Sequence, residues 1–264
     1  MAENNPQTCF IDTLCDVVVT VVCWFYFIFA FLFFFSFFYA AAFFFSKNRE
    51  QAFQYLDHLF FKGFLYLLRI LAPRQRWEID QDIGGISGSI IVCNHLSYLD
   101  PLILISLLPR QKTIVKTKFF RAPVFGWLIK ISGYLPATTE GVHAGRMIEH
   151  IENMGEFLKS GGNLFVFPEG TRNPDTILGD FHKGVFKIGR MYNCPIHVLN
   201  ICNTYKLFTP GKFFFNTRIY NHISIKIIGC VNSVSGQTST SAALLEKEVR
   251  EIFENSGGCR EGTQ

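Results

Sequence analysis

The segment SIIVCNHLSYLDPLILISLL, Ser89 to Leu108, passes from one apolar run through a polar turn into another. The first run, SIIVC, is short and β-branched, as a fully buried strand is. The second, PLILISLL, follows Asp100 and opens on Pro101. Asp is a favoured helix N-cap and Pro a favoured first helical residue, so a helix is expected to start here. Strand, turn, helix is the local plan. The turn carries His95, five positions before Asp100. Residues five apart on a regular helix point about 140° from each other, so the two cannot meet as helical neighbours. They can meet if His95 sits in the turn and Asp100 opens the helix. The carboxylate would then hold one ring nitrogen and leave the other free to take a proton. The plainer reading is a capping aspartate beside a turn histidine.

Outward from this segment, short apolar runs alternate with amphipathic ones. SIIVC, TIVK, NLFVF, IHVLNI and ISIKIIGCV are expected as strands. PLILISLL, RMIEHIENMGEFLKS, VFKIGRMY and the closing AALLEKEVREIF are expected as helices. Near-continuous apolar strands between helices predict a single α/β domain with a mixed, largely parallel sheet covered by helices. KFFFNTRIYNH is read as an added antiparallel piece and NSVSGQTSTS as a polar loop. The domain is placed at 80–254, with 255–264 a flexible tail. There is no internal repeat and no G-x-G-x-x-G, P-loop or G-x-S-x-G pattern.

The front of the chain is different. Val17 to Ser46 carries no charged side chain, and much of the excess of 30 phenylalanines sits there. As a helix that run would reach roughly 45 Å at 1.5 Å per residue, more than the roughly 30 Å hydrocarbon core. Residues 1–16 are read as a short polar N-terminus and 17–46 as a membrane helix. A secretory signal is excluded by the acids Glu3, Asp12 and Asp16 and by the length of the run. Lys47 and Arg49 follow it directly, which predicts an inner or plasma membrane location with the C-terminal bulk in the cytoplasm. Residues 50–72 repeat apolar side chains at three- and four-residue steps (Phe53, Leu56, Phe60, Phe64, Leu67, Leu68, Leu71). This stretch is expected as an amphipathic interfacial helix, with Lys62 and Arg69 able to reach phosphate headgroups.

The net charge of +4 is too small and too scattered to point to nucleic acid. The eight cysteines show no C-x-x-C and no metal-ligand spacing, so neither zinc nor another metal is expected. Cys93, Cys194 and Cys202 fall in or beside strand-like runs, where buried thiols are expected, and the domain is read as reduced.

Three further stretches bear on His95. FPEGTR, Phe167 to Arg172, closes the apolar run NLFVF; Pro168 stops the strand and Gly170 lets backbone approach a ligand. VKTKFFRAPVFGWLIKISG places Lys116, Lys118 and Arg121 after a strand, and CPIHVLNI opens a strand on Pro195. Together and in this order they resemble the glycerolipid acyltransferase family whose type member acylates 1-acylglycerol-3-phosphate. NHLSYLD matches its first motif, VKTKFFRAPVFGWLIKISGYLPA the region leading to its second, FPEGTR its third unchanged, and CPIHVLNI a looser fourth with Val198 in place of a proline. The resemblance covers about Ile90 to Ile201, and the N-terminal membrane segment is similar to that of bacterial members.

The resemblance implies acyl transfer from acyl-CoA or acyl carrier protein to a lyso-lipid hydroxyl, without a cofactor. His95 would be the general base, with Asp100 orienting it. Glu169, Gly170, Thr171 and Arg172 would form the acceptor site. Asn94, Lys116 and Lys183 would frame it. Ser97 has nothing resembling a nucleophile elbow around it. The family's second-motif arginine is absent: GYLPATTEG offers Thr138 or Thr139, with Arg146 or Lys130 as substitutes in space. Lysophosphatidate is the first expectation as acceptor, and another lysophospholipid or a lyso-aminolipid stays open. A hydrolase using the same base on water and a non-catalytic membrane adaptor are the competing classes.

Overall fold

The computed structural model describes residues 6–137, 151–173, 178–235, 238–239 and 241–257, with side chains from Thr13 onward. Seven strands form one sheet in the order β1-β7-β6-β2-β5-β3-β4. They are Gln75–Ile79 (β1), Ile90–Cys93 (β2), Gln111–Val115 (β3), Leu135–Pro136 (β4), Asn163–Val166 (β5), Ile196–Cys202 (β6) and Asn221–Val231 (β7). Every pairing is parallel except β6 with β7. The sheet is mixed and mostly parallel, with helices around it.

Alternation along each central strand explains the two-sided cover. Ile91 and Cys93 of β2, Phe165 of β5, and Leu199 and Ile201 of β6 enter one core. Their neighbours Ile90, Val92, Leu164, Val166, Ile196 and Val198 enter another on the opposite face. Successive side chains on a strand point to opposite faces, so a sheet buried on both sides must be apolar at every position. Each fully buried Ile, Leu or Phe contributes about 1.5–3 kcal/mol relative to exposure. Helices Met154–Lys159 (α6), Gly184–Tyr192 (α7) and Ala242–Asn255 (α9) close the second face. The first is closed by Arg49–Leu71 (α3) and Leu99–Leu107 (α4).

At the front, Pro6–Phe25 (α1), a π-helical stretch Tyr26–Phe35, and Ser36–Phe45 (α2) run on as one helical rod. Its Thr13–Phe45 part is long and apolar enough to cross a membrane, and most of that surface is not covered by the rest of the chain. Asp16 faces inward within α1 and is buried. It accepts from the Thr217 amide at 2.8 Å and pairs with Arg218 at 2.8 Å, docking the rod on the domain.

Asn48 caps α3 by accepting from the Gln51 amide at 3.0 Å. Phe53, Phe60, Phe64 and Leu68 are buried toward the domain and the rod; Leu56, Leu67 and Leu71 are half-buried; Tyr55, Tyr66 and Ile70 remain exposed. Lys62 and Arg69 are exposed, and the Arg69 guanidinium lies over the Trp77 ring.

Several expectations change. Gln75–Ile79, ahead of the expected domain start, is a strand paired with β7. Its composition, Gln-Arg-Trp-Glu-Ile, hid it, because an edge strand needs few apolar residues. KFFFNTRIYNH is mostly irregular, and the antiparallel piece is β7 itself. Val234–Ser235 (β8) and Thr238–Ser239 (β9) pair within the stretch read as a loop. Cys202 is disulfide-bonded, not a buried thiol. It is the last residue of β6 and is buried. The fully reduced reading therefore does not hold. The first part of RMIEHIENMGEFLKS, with Arg146, and Thr138, Thr139 and residues 258–264 of the expected tail lie outside the described residues.

Candidate active site

The candidate groups collect outside the carboxyl ends of three adjacent parallel strands, β5, β2 and β6, where open α/β sheets bind ligands. His95 follows β2 by two residues, the Phe167–Arg172 loop follows β5, and Thr204 follows β6 in a one-turn helix, Thr204–Leu207 (α8).

His95 and Asp100 meet: Nδ1 lies 2.9 Å from Oδ2. Asp100 is 0% exposed, and the His95 side chain is 12% exposed. The same carboxylate accepts from the Leu96 amide at 2.6 Å, the Ser97 amide at 2.7 Å and the Thr204 hydroxyl at 2.6 Å. Four donors use its acceptor capacity. With three other donors already on this carboxylate, the contact suits the tautomer in which Nδ1 donates, which leaves Nε2 to a substrate. The ring is also stacked on Phe167, centroids 4.1 Å apart at 20°. Carboxylate and stacking together fix the imidazole's plane.

Asp100 does not cap the helix as expected. α4 begins at Leu99, and Asp100 lies in its first turn, with its carboxylate turned back onto the preceding loop. The Ser97 hydroxyl receives from the Leu99 amide at 3.3 Å. It also donates to the Phe208 carbonyl at 2.6 Å and is buried, which leaves it no freedom to attack a substrate.

A cavity of about 1090 Å³ opens beside this pair. His95, Lys116, Gly170, Arg172, His182 and Lys183 line its polar part, and Phe27, Phe31, Phe60 and Phe61 from the rod and α3 line its apolar part. The Arg172 guanidinium sits 3.7 Å above the Tyr98 ring centre. Gly170 has φ of +65°, and a Cβ there would come 2.8 Å from His182 Nε2, so the loop needs glycine on both counts.

Other expected residues sit elsewhere. Glu169 is half-buried, absent from the cavity wall, and accepts from the Gly179 amide at 3.0 Å. Burial pushes its carboxyl above the usual range, and the Gly179 and His95 amides and nearby positive charge only partly oppose that. Thr171 is exposed and also off the wall. Asn94 spends its side chain on the Ile201 backbone, donating to the carbonyl at 2.8 Å and accepting from the amide at 2.7 Å. Lys130 is exposed on Phe125–Ile131 (α5) and away from the cavity.

Sequence reasoning missed Thr204, Phe167 as a stacking partner, Tyr98 and His182. Thr204 is 104 positions from Asp100, and no local spacing could have paired them.

A family model described as "Acyltransferase" matches residues 76–201, which include both loops and strands β2 to β6. That segment, a little under half of the chain, is similar to the acyltransferase family. Over 139 residues the chain is 33% identical to the chloroplastic 1-acyl-sn-glycerol-3-phosphate acyltransferase BAT2 of Brassica napus, covering 53% of this chain and 39% of that protein. It is 31% identical over 140 residues to the chloroplastic enzyme LPAT1 of Arabidopsis thaliana, covering 53% and 38%. The matched part is thus about two fifths of these relatives' length. The crystal structure of the 1-acyl-sn-glycerophosphate (LPA) acyltransferase PlsC from Thermotoga maritima superposes with a TM-score of 0.68, covering 91% of this chain and 95% of that one at 21% identity. The fold is thus shared with that structure over nearly the whole chain.

Proposed function

We propose that this protein is a membrane-bound O-acyltransferase that moves a fatty acyl group from acyl-CoA or acyl carrier protein to the free hydroxyl of a lyso-lipid. The observation that carries this is the His95–Asp100 pair, with His95 on the wall of a cavity lined by both apolar and cationic side chains. His95 Nε2 takes the proton from the acceptor hydroxyl as its oxygen attacks the thioester carbonyl. The tetrahedral intermediate collapses, the C–S bond breaks, and the thiolate leaves with the proton returned from the imidazolium. Asp100 keeps Nδ1 protonated and balances the imidazolium. A thioester is activated enough for one base plus positioning, so no acyl-enzyme is required.

Arg172 takes an acceptor phosphate: its planar fork suits bidentate oxygen recognition, and Tyr98 holds its plane. Lys116 and Lys183 attract the anionic parts of donor and acceptor. Glu169 and Asn94 hold the loop backbones that carry Arg172 and His95, while Thr171 stands at the outer rim. The rod and the exposed side of α3 seat the site on the bilayer, and Lys47 and Arg49 place the domain on the cytoplasmic side of an inner or plasma membrane.

1-Acylglycerol-3-phosphate, giving phosphatidic acid, is the first candidate acceptor. The absence of an arginine in GYLPATTEG favours testing lysophospholipids with other heads and lyso-aminolipids beside it. The experiment is thiol release from acyl-CoA by the purified chain, with each acceptor in turn. Release that depends on one lyso-lipid, and is lost in His95→Ala, supports transfer. Equal release without acceptor would make the protein a thioesterase.

A further inference from the structure

A second cavity, of about 510 Å³, lies beside the first. Cys23 and Trp24 of α1, Phe64 of α3 and Phe208, Phe213 and Phe215 of the loop after α8 line it. Phe27, Tyr98 and Leu102 belong to the walls of both cavities, so the two meet at the ring that carries Arg172. Its size is within the ~300–1,000 Å³ of ordinary small-molecule sites.

The cavity is held together by polar contacts. Asp16 accepts from Thr217 Oγ1 at 2.6 Å, Thr20 Oγ1 accepts from the Phe215 amide at 3.0 Å, and Trp24 stacks on Phe213 with centroids 5.5 Å apart and planes 6° apart. These join α1 to the loop across the cavity. Among the described residues Lys212 is the one charged side chain on its wall, whereas the larger cavity carries Lys116, Arg172, Lys183 and Lys187.

We propose that the smaller cavity binds the alkyl chain of the acceptor lyso-lipid, leaving the larger one for the donor's acyl chain. This rests on the acyl-transfer reading above. Transfer to a lyso-lipid brings two alkyl chains to one base; His95 lines the larger cavity, and the smaller one shares Phe27, Tyr98 and Leu102 with it. Charge assigns them: Lys116, Lys183 and Lys187 suit a donor whose carrier bears several phosphates, and Lys212 on the smaller wall, with Arg172 on the larger one over the shared Tyr98 ring, suits an acceptor with one anionic head. The acceptor's head sits at Arg172, and its chain passes over Tyr98 and Leu102 toward Cys23.

Photolabelling of the full chain in detergent micelles tests this without turnover. The probe is 1-acylglycerol-3-phosphate with a diazirine at the chain end, and labelled peptides are read by mass spectrometry. Label concentrated on residues 23–27 and 208–215, and displaced by excess unlabelled lyso-lipid, is the expected result. Label on residues 119–129 of the larger cavity overturns the proposal. So does label that is not displaced, or the same pattern from a diazirine-bearing two-chain phospholipid.

Kinetics give a second reading. Cys23→Phe fills the cavity and should raise the KM for a long-chain acceptor about tenfold while leaving the KM for acyl-CoA and the kcat unchanged. A rise in the donor's KM instead would reverse the assignment. If the wild-type chain releases no thiol with any acceptor, the acyl-transfer reading falls, and the photolabel pattern still decides where the lyso-lipid chain lies.

Discussion

Four donors converge on the fully buried Asp100 carboxylate, two of them backbone amides of the turn that presents His95. Removing the base is expected to lower kcat/KM by about 10²–10⁴-fold in His95→Ala, measured as acceptor-dependent thiol release. Asp100→Asn should cost about as much. An amide that turns its NH₂ toward the ring favours the wrong tautomer and meets the Leu96 and Ser97 amides with a donor, and one that turns its oxygen there has no charge to balance the imidazolium. Thr204 acts through Asp100. Thr204→Val should lower kcat about tenfold with little change in KM, and Thr204→Ser should restore it, because only the hydroxyl donates. The histidine and aspartate were legible in the sequence because strand, turn and helix signals bracket them. The helix start was not: α4 begins two residues earlier than an Asp100 cap would place it, which aims the carboxylate at the loop instead of the helix amides.

At the scale of elements, the loop after β5 depends on one backbone conformation. Gly170→Ala puts a Cβ into a left-handed residue and against His182, a strain of about 1–2 kcal/mol from the backbone alone. The loop should shift, raising the acceptor KM by about tenfold while circular dichroism and melting stay near wild type. Strands β2, β3, β5, β6 and β7 were readable as apolar runs because both faces of the sheet are covered. β1 was not, since an edge strand buries less and its Trp and Glu read as ordinary surface. The stripe on α3 was readable for the same reason in helical period. Its partners were not, because periodicity reports that a face is apolar and not what covers it.

Across the whole molecule, a buried polar knot joins the N-terminal rod, α3 and the domain. Asp57 of α3 accepts from Tyr39 of α2 at 2.6 Å, and from Ser132 at 2.8 Å and Tyr134 at 3.2 Å after α5. Burial raises its carboxyl to about 6 from an ordinary 3.8, with the three hydroxyls pulling the other way. The folded chain therefore holds this proton more tightly than the unfolded one. That contribution is complete below the unfolded value and is lost as pH rises through about 6. Melting temperature in detergent should accordingly fall between about pH 4 and about pH 7, and Asp57→Asn should flatten most of that slope. Glu169, raised by burial as well, leaves a smaller slope of the same sign. An unchanged slope in Asp57→Asn would show that the knot is not the source.

Local pattern by itself determined the α/β class, the apolar front helix and the two loops that carry the chemistry, because each rests on residues close in the chain. What it could not determine was which distant groups would share one space. The Thr204 hydroxyl on Asp100, the rod's Asp16 clasp and the second cavity all join segments far apart in the chain. Such contacts depend on how the packed sheet brings strand ends and helices together, and no spacing along the chain encodes that.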